Sequence, residues 1–217
     1  MLEETGIHGL RSPILHGSPG HGSAAESYCR ANLSNVAVVY KNQAVELQAK
    51  GRIAESRDKL ESAEALYIEA RQLDFRVGNL KGVASDLLNL GITYYHAGQR
   101  SKAIGAFDEC IRLAEEMKEK ALLGKAYAGI GTVYAQIKRW DKAIEYYERA
   151  LSLARPLSGD DWVWQGAVAG ANLGIAWFEN GDPQRAAKYL REAQARLEDM
   201  NIDDELARRV RDYLKKC

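Results

Sequence analysis

The fold is decided by the stretch Asn89-Leu90-Gly91-Ile92-Thr93-Tyr94. It returns as Gly129-Ile130-Gly131-Thr132-Val133-Tyr134 and again as Asn172-Leu173-Gly174-Ile175-Ala176-Trp177. The three copies align without gaps, and their central glycines are 40 and then 43 residues apart. After each copy comes a small residue, an aromatic or leucine four positions later, and a small residue three after that: Ala103-Phe107-Cys110, Ala143-Tyr147-Ala150 and Ala186-Leu190-Ala193. A degenerate copy precedes them in Asn42, Ala44, Leu47, Ser56, Leu60 and Ala63. A fixed period of this size marks a repeat architecture whose units must stack, because none can cover its own apolar face.

The spacing within a unit is helical. Leu87, Leu90, Gly91 and Tyr94 fall at i, i+3, i+4 and i+7, one stripe of a first helix, and Ala103, Phe107 and Cys110 form the facing stripe of a second. Small residues at Gly91, Ala103 and Cys110 let two helix axes approach, while Tyr94 and Phe107 fill the space beside them. Each unit reads as an antiparallel helix pair. The turns inside the pairs fall at Gly98-Gln99, Lys138-Arg139 and Gly181-Asp182-Pro183, with Pro183 in the first helical turn, where its missing N–H costs nothing.

The Leu-Gly-x-x-Tyr of the first helix and the Ala-x-x-x-aromatic-x-x-Ala of the second, in register over about residues 28–200, resemble the tetratricopeptide repeat (TPR) family. The usual closing proline is absent, and the spacing exceeds the family's usual 34 or so. The extra length is expected in the second helix, as at Leu113-Ala114-Glu115-Glu116-Met117. In this the repeats are similar to those of Pins-like adaptors and, less closely, kinesin light chains. The resemblance implies an all-α fold, a right-handed α-solenoid of TPR-like helix-turn-helix repeats with a C-terminal capping helix. Repeats are expected at 28–75, 80–118, 121–156 and 162–199, and the capping helix at 203–217. That last helix opens with Asp203, Asp204 and Glu205 and carries Leu206, Val210 and Leu214 on one line. Its basic side, Arg208, Arg209, Arg211, Lys215 and Lys216, reads as a solvated outer face, with an anion or partner patch as the alternative.

Composition bounds the function. The chain has 217 residues, with 30 basic against 30 acidic side chains, so it lacks the unbalanced positive charge that drives binding to nucleic acid or anionic membrane. Cys29, Cys110 and Cys217 are too few and too far apart for a disulfide framework or a metal knuckle, which fits a reducing compartment. No apolar run approaches the length of a membrane span and no signal peptide is recognisable at the N-terminus, so a cytoplasmic location is expected. Residues 1–24, rich in glycine with Pro13 and Pro19, read as a disordered tail. Its His8, His16 and His21 lack the spacing and partner ligands of a metal site. No phosphate-binding loop, dinucleotide fingerprint, HExxH or GxSxG is present. His96 is the one histidine of the repeats, and Cys110 sits at a tight packing position where a thiol stays protonated. The expectation is a protein with no catalytic residues, no metal and no cofactor.

In the family that the sequence resembles, the face of each first helix opposite the packing stripe lines a concave groove. Carried over residue by residue, the resemblance implies groove positions at Lys41 and Asn42 in the first copy; Leu88, Asn89, Ile92, Tyr95 and His96 in the second; Lys125 in the third; and Asn172, Ile175 and Phe178 in the fourth. Asn42, Asn89 and Asn172 share one offset, and a carboxamide both donates to and accepts from an extended peptide backbone. Gly129 interrupts that ladder. The function implied is a non-catalytic protein–protein interaction adaptor that binds a peptide segment of a partner in the groove, with Lys41 and Lys125 favouring acidic character. Two alternatives stand beside it. One is a structural component of a cytoskeletal or ciliary assembly docking through its outer face. The other is a co-chaperone gripping chaperone tails by a carboxylate clamp, for which Lys41, Asn89 and Lys125 match while Val45 and Gly129 do not. Trp162 and Trp164 are expected in an inserted loop as a packed lid rather than an interface, leaving the protein a monomer.

Overall fold

The computed structural model describes residues 60–154 and 160–217, and every described element is helical. In chain order these are α1 (Leu60–Arg76), α2 (Leu80–His96), α3 (Arg100–Glu116), α4 (Lys120–Gln136), α5 (Trp140–Ala154), α6 (Asp160–Glu179), α7 (Pro183–Asp199) and α8 (Glu205–Leu214). The tail 1–24 with its three histidines, and Lys41 and Asn42, lie outside the described residues.

One turn recurs throughout. Gly78, Gly98, Lys118 and Lys138 stand twenty residues apart in the left-handed backbone region, with φ of 69°, 73°, 57° and 58°; Gly181 and Asn201 repeat the geometry at 88° and 55°. At each, the next residue's N–H reaches back five positions, as in Gln99 to the Tyr94 carbonyl at 2.8 Å and Glu119 to the Ala114 carbonyl at 2.8 Å. This is the Schellman closure of a helix C-terminus. The same residue then serves the following helix. Asn79 Oδ1 accepts from the Gly82 N–H at 3.3 Å, and Asp182 Oδ1 from the Arg185 N–H at 2.9 Å. Seventeen helical residues and a three-residue turn thus make each half-repeat from α1 to α4, whereas α5 has 15 residues and α6 has 20. The extra length expected in the second helix is shared equally instead, since α2, α3 and α4 are all of 17 residues.

Each helix packs on its neighbours in the chain. The first helices of successive pairs, α2, α4 and α6, also touch one another, and so form the inner layer of an α-solenoid. Close approach depends on glycine. A β-carbon at Gly91 would lie 2.5 Å from Phe107 Cε1, one at Gly131 2.8 Å from Tyr147 Cδ1, and one at Gly174 2.7 Å from Leu190 Cγ. Phe107, 1% exposed, is the pin of the largest core cluster, together with Leu87, Leu123 and Ile130. Burying such a ring contributes about 1.5–3 kcal/mol, and truncation to alanine costs about 3–5 kcal/mol with the cavity included. Leu173 and Tyr147 continue the core between α5 and α6, and Leu190, Leu197 and Val210 carry it to the C-terminal helix. α8 packs on both α6 and α7, in the place that the first helix of a further pair would take. α6 begins at Asp160, so Trp162 and Trp164 belong to a helix and not to a loop.

Candidate functional site

The inner layer carries two adjoining clefts that share Thr132 and Asn172. The first, about 360 Å³, runs across α2, α4 and α6 over Leu88, Ile92, Ala128, Val168 and Asn172, with Lys125 and Trp164 at its sides. The second, about 530 Å³, is bounded by Tyr95, Gln136, Lys138, Ile175 and Glu179, and is closed by Arg209 and Tyr213 of α8. A smaller hollow of about 200 Å³ between Ile92, Tyr95, His96 and Thr132 has Phe107 for a floor, because Gly129 has no side chain to fill it.

Of the residues predicted from sequence, Leu88, Ile92, Lys125 and Asn172 thus come together in the first cleft, Tyr95, Asn172 and Ile175 in the second, and Ile92, Tyr95 and His96 around the hollow. Leu88 and Ile175 are 8% and 7% exposed, so they form floor rather than protruding contacts. Asn89 is half-buried on α2 and lines none of these hollows; its backbone carbonyl accepts from Thr93 Oγ1 at 3.0 Å. Phe178 is met edge-on by Tyr213, with ring centroids 5.3 Å apart, and so is engaged by α8.

The polar groups of the groove divide into those spent on the fold and those left for a ligand. Thr132 is spent. It donates to the Ala128 carbonyl at 2.9 Å and accepts from the Tyr147 hydroxyl at 3.1 Å. Burial pushes that tyrosine up to about 12, against the opposing pull of the Thr132 hydrogen bond and the Arg209 charge. Gln136 accepts from Arg100 Nε at 3.2 Å, and Glu179 from the Tyr213 hydroxyl at 2.8 Å. The Asn172 carboxamide and the Lys125 ammonium have no hydrogen bond or ion pair among the described residues. Gln165 Oε1 is buried at the wall of the first cleft without a donor.

Gln165, Trp164 and Arg209 were not among the residues expected in the groove. The tryptophan is 36% exposed at the cleft, so it forms a rim rather than a packed lid. Arg209, expected on the outer face, faces inward. Nothing in the periodicity of α8 reveals which helix stands across from it. Cys110 is fully buried, and burial pushes its thiol up to about 12, which removes it as a nucleophile. Among the described residues, no helix is long and apolar enough to cross a membrane, and no three His, Cys, Asp or Glu side chains gather to hold a metal.

A stack of helix pairs with a groove along its first helices defines a class of α-solenoid scaffolds. Residues 122–199 match the tetratricopeptide repeat model, and residues 70–132 match the model of anaphase-promoting complex subunit 5. The first match makes residues 122–199 tetratricopeptide repeats. Among solved structures the chain is similar to a kinesin light chain with nearly identical TPR-like repeats from Podosopora anserina. There the TM-score is 0.63 at 12% identity, over 81% of this chain and 85% of that one. It is also similar to BtubC (BKLC) from P. vanneervenii, with a TM-score of 0.54 at 13% identity, over 85% of this chain and 82% of that one. At these identities the likeness is one of fold.

Proposed function

We propose that the protein is a non-catalytic adaptor that holds an extended segment of a protein partner in the groove along α2, α4 and α6. The observation that carries this reading is the first cleft. An apolar floor of Leu88, Ile92 and Val168 lies beside the Asn172 carboxamide and Gln165 Oε1, polar groups without partners among the described residues. Such groups suit the alternating N–H and C=O of a peptide backbone, and the floor suits its side chains. Lys125 is the charged residue lining this cleft and favours an acidic segment. Repeat proteins of this family are in general non-catalytic scaffolds, in keeping with the buried thiol of Cys110.

The test is affinity capture from native lysate with the wild-type chain, an Ile92→Glu/Asn172→Ala variant and an outer-face Arg112→Glu variant, all of equal helix content and melting temperature. Partners lost with the groove variant alone support the adaptor. The match of residues 70–132 to a subunit of a multiprotein complex favours a second reading, a structural component docking by its outer face. Partners lost only with Arg112→Glu would replace the first reading by that one.

A further inference from the structure

We infer that Arg209 of the C-terminal helix is a specificity-determining residue of the groove, which selects a partner segment carrying an aspartate or glutamate at the position lying in the second cleft. The inference rests on the peptide-groove reading and names the chemistry of the partner.

α8 bears a run of cations, and the structure separates their roles. Arg211 pairs with Asp203 at 2.6 Å, Lys215 pairs with Asp212 at 3.0 Å, and Lys216 lies over the Tyr213 ring at 5.0 Å. Arg209 has no ion pair or hydrogen bond among the described residues, and it lines the second cleft with Lys138. Its charge reaches the floor of that cleft, where it acts on the buried Tyr147 hydroxyl. The carboxylate in the cleft, Glu179, is engaged by the Tyr213 hydroxyl at 2.8 Å and pairs with neither cation.

Two uncompensated cations against one hydrogen-bonded carboxylate leave this end of the groove positive, on a protein whose formal net charge is zero. The fork of a guanidinium suits a carboxylate by two parallel hydrogen bonds, which gives geometry as well as attraction. Because the two clefts share Asn172, a segment running through both would be held by its backbone at Asn172 and meet Lys125 on one side and Arg209 on the other. The packing of α8 in the position of a further first helix is what brings Arg209 there. The occupant is therefore an acidic, extended segment of another protein, and the C-terminal helix sets its charge preference besides covering the apolar end of α6 and α7.

The experiment is a selection of random twelve-residue displayed peptides on the full chain, run in parallel on wild type, Arg209→Gln, Arg209→Glu and Arg208→Gln. Arg208 is exposed and lines neither cleft, so its variant controls for loss of a charge on the same helix. Wild type and Arg208→Gln are expected to enrich peptides with an acidic residue in one fixed column beside apolar ones. Arg209→Gln loses the acidic column and keeps the apolar ones, and Arg209→Glu replaces the acid by lysine or arginine. The best wild-type peptide should bind Arg209→Gln about tenfold more weakly, the scale of one charged hydrogen-bonded contact. Its binding to wild type should weaken in high salt. Identical acidic columns on wild type and Arg209→Gln, or no acidic column on either, would overturn the role of Arg209 while leaving the groove intact. Selected peptides that bind an Ile92→Glu variant as well as wild type would overturn the groove reading and this inference with it.

Discussion

The Phe107 ring of one repeat lies against Gly129 of the next, so close that a β-carbon at Gly129 would stand 2.6 Å from Phe107 Cζ. Gly129 is the position that carries asparagine in the flanking repeats, at Asn89 and Asn172. The interruption of that series is therefore a packing requirement. Restoring the asparagine means moving the pin of the core. Gly129→Asn should cost about 1–3 kcal/mol, the usual penalty of overpacking. Gly105 in α3, where a β-carbon would meet nothing within 4 Å, should behave oppositely, with Gly105→Ala gaining about 1 kcal/mol. Urea midpoints at constant m-value measure both, and equal effects at the two glycines would refute the distinction.

The turns offer a second test. Lys118 holds a left-handed φ of 57° where Gly78 and Gly98 hold theirs without steric cost. Lys118→Gly should raise stability by about 0.5 kcal/mol, the relief of a left-handed β-carbon less the added freedom of glycine in the unfolded chain. Gly98→Ala should lower it by about 1 kcal/mol. Thermal unfolding followed by circular dichroism gives both signs.

Alkaline pH should weaken the fold through Cys110. Its thiol ionises near 9 in an unfolded chain and is pushed up to about 12 by burial in the native one. Above pH 9 the unfolded state binds fewer protons than the native state, so unfolding becomes easier as pH rises. The stabilisation is complete below about pH 9 and drains away as pH rises through the native value. In a series of melting temperatures from pH 8 to 11, Cys110→Ala should descend less steeply than wild type. Parallel lines would show that Cys110 is not responsible.

Trp164 stands 36% exposed at the side of the first cleft, so its removal should matter more to a ligand than to the fold. Trp164→Ala is expected to shift the unfolding midpoint by less than about 1 kcal/mol and to weaken binding of a groove peptide by about tenfold, in the manner of an aromatic anchor. Calorimetric titration of one selected peptide into both proteins separates the two effects; an unchanged affinity would place the peptide away from this rim.

Much of the architecture was legible in the chain because each repeat states the same contact again. Gly91 facing Phe107, Gly131 facing Tyr147 and Gly174 facing Leu190 are local pairs within one helix hairpin, and a period of about 40 residues exposes them. Contacts between hairpins were not legible. Phe107 reaching Gly129 joins two repeats, and no spacing rule distinguishes that glycine from one that merely breaks a pattern. Arg209 escaped for a related reason. The amphipathic period of α8 tells which side leaves the core, but only the seating of that helix against α6 and α7 decides whether the polar side meets bulk water or the groove. Trp162 and Trp164 follow Pro156 and Gly159, which read as loop, yet Asp160 and Asp161 are acids suited to the first turn of a helix, and α6 starts with them.

The even beat of left-handed turns also gives the molecule a mechanical character. Hairpins of similar length, each packed on its neighbours in the chain, are links in series, and a load applied along the chain is carried by one interface after another. When such a link yields, the roughly forty residues it releases lengthen the chain by roughly 130 Å. A partner tethered at one end would then feel a compliant spacer that extends by about one hairpin at a time, with Phe107, held against glycines of two hairpins, joining one link to the next.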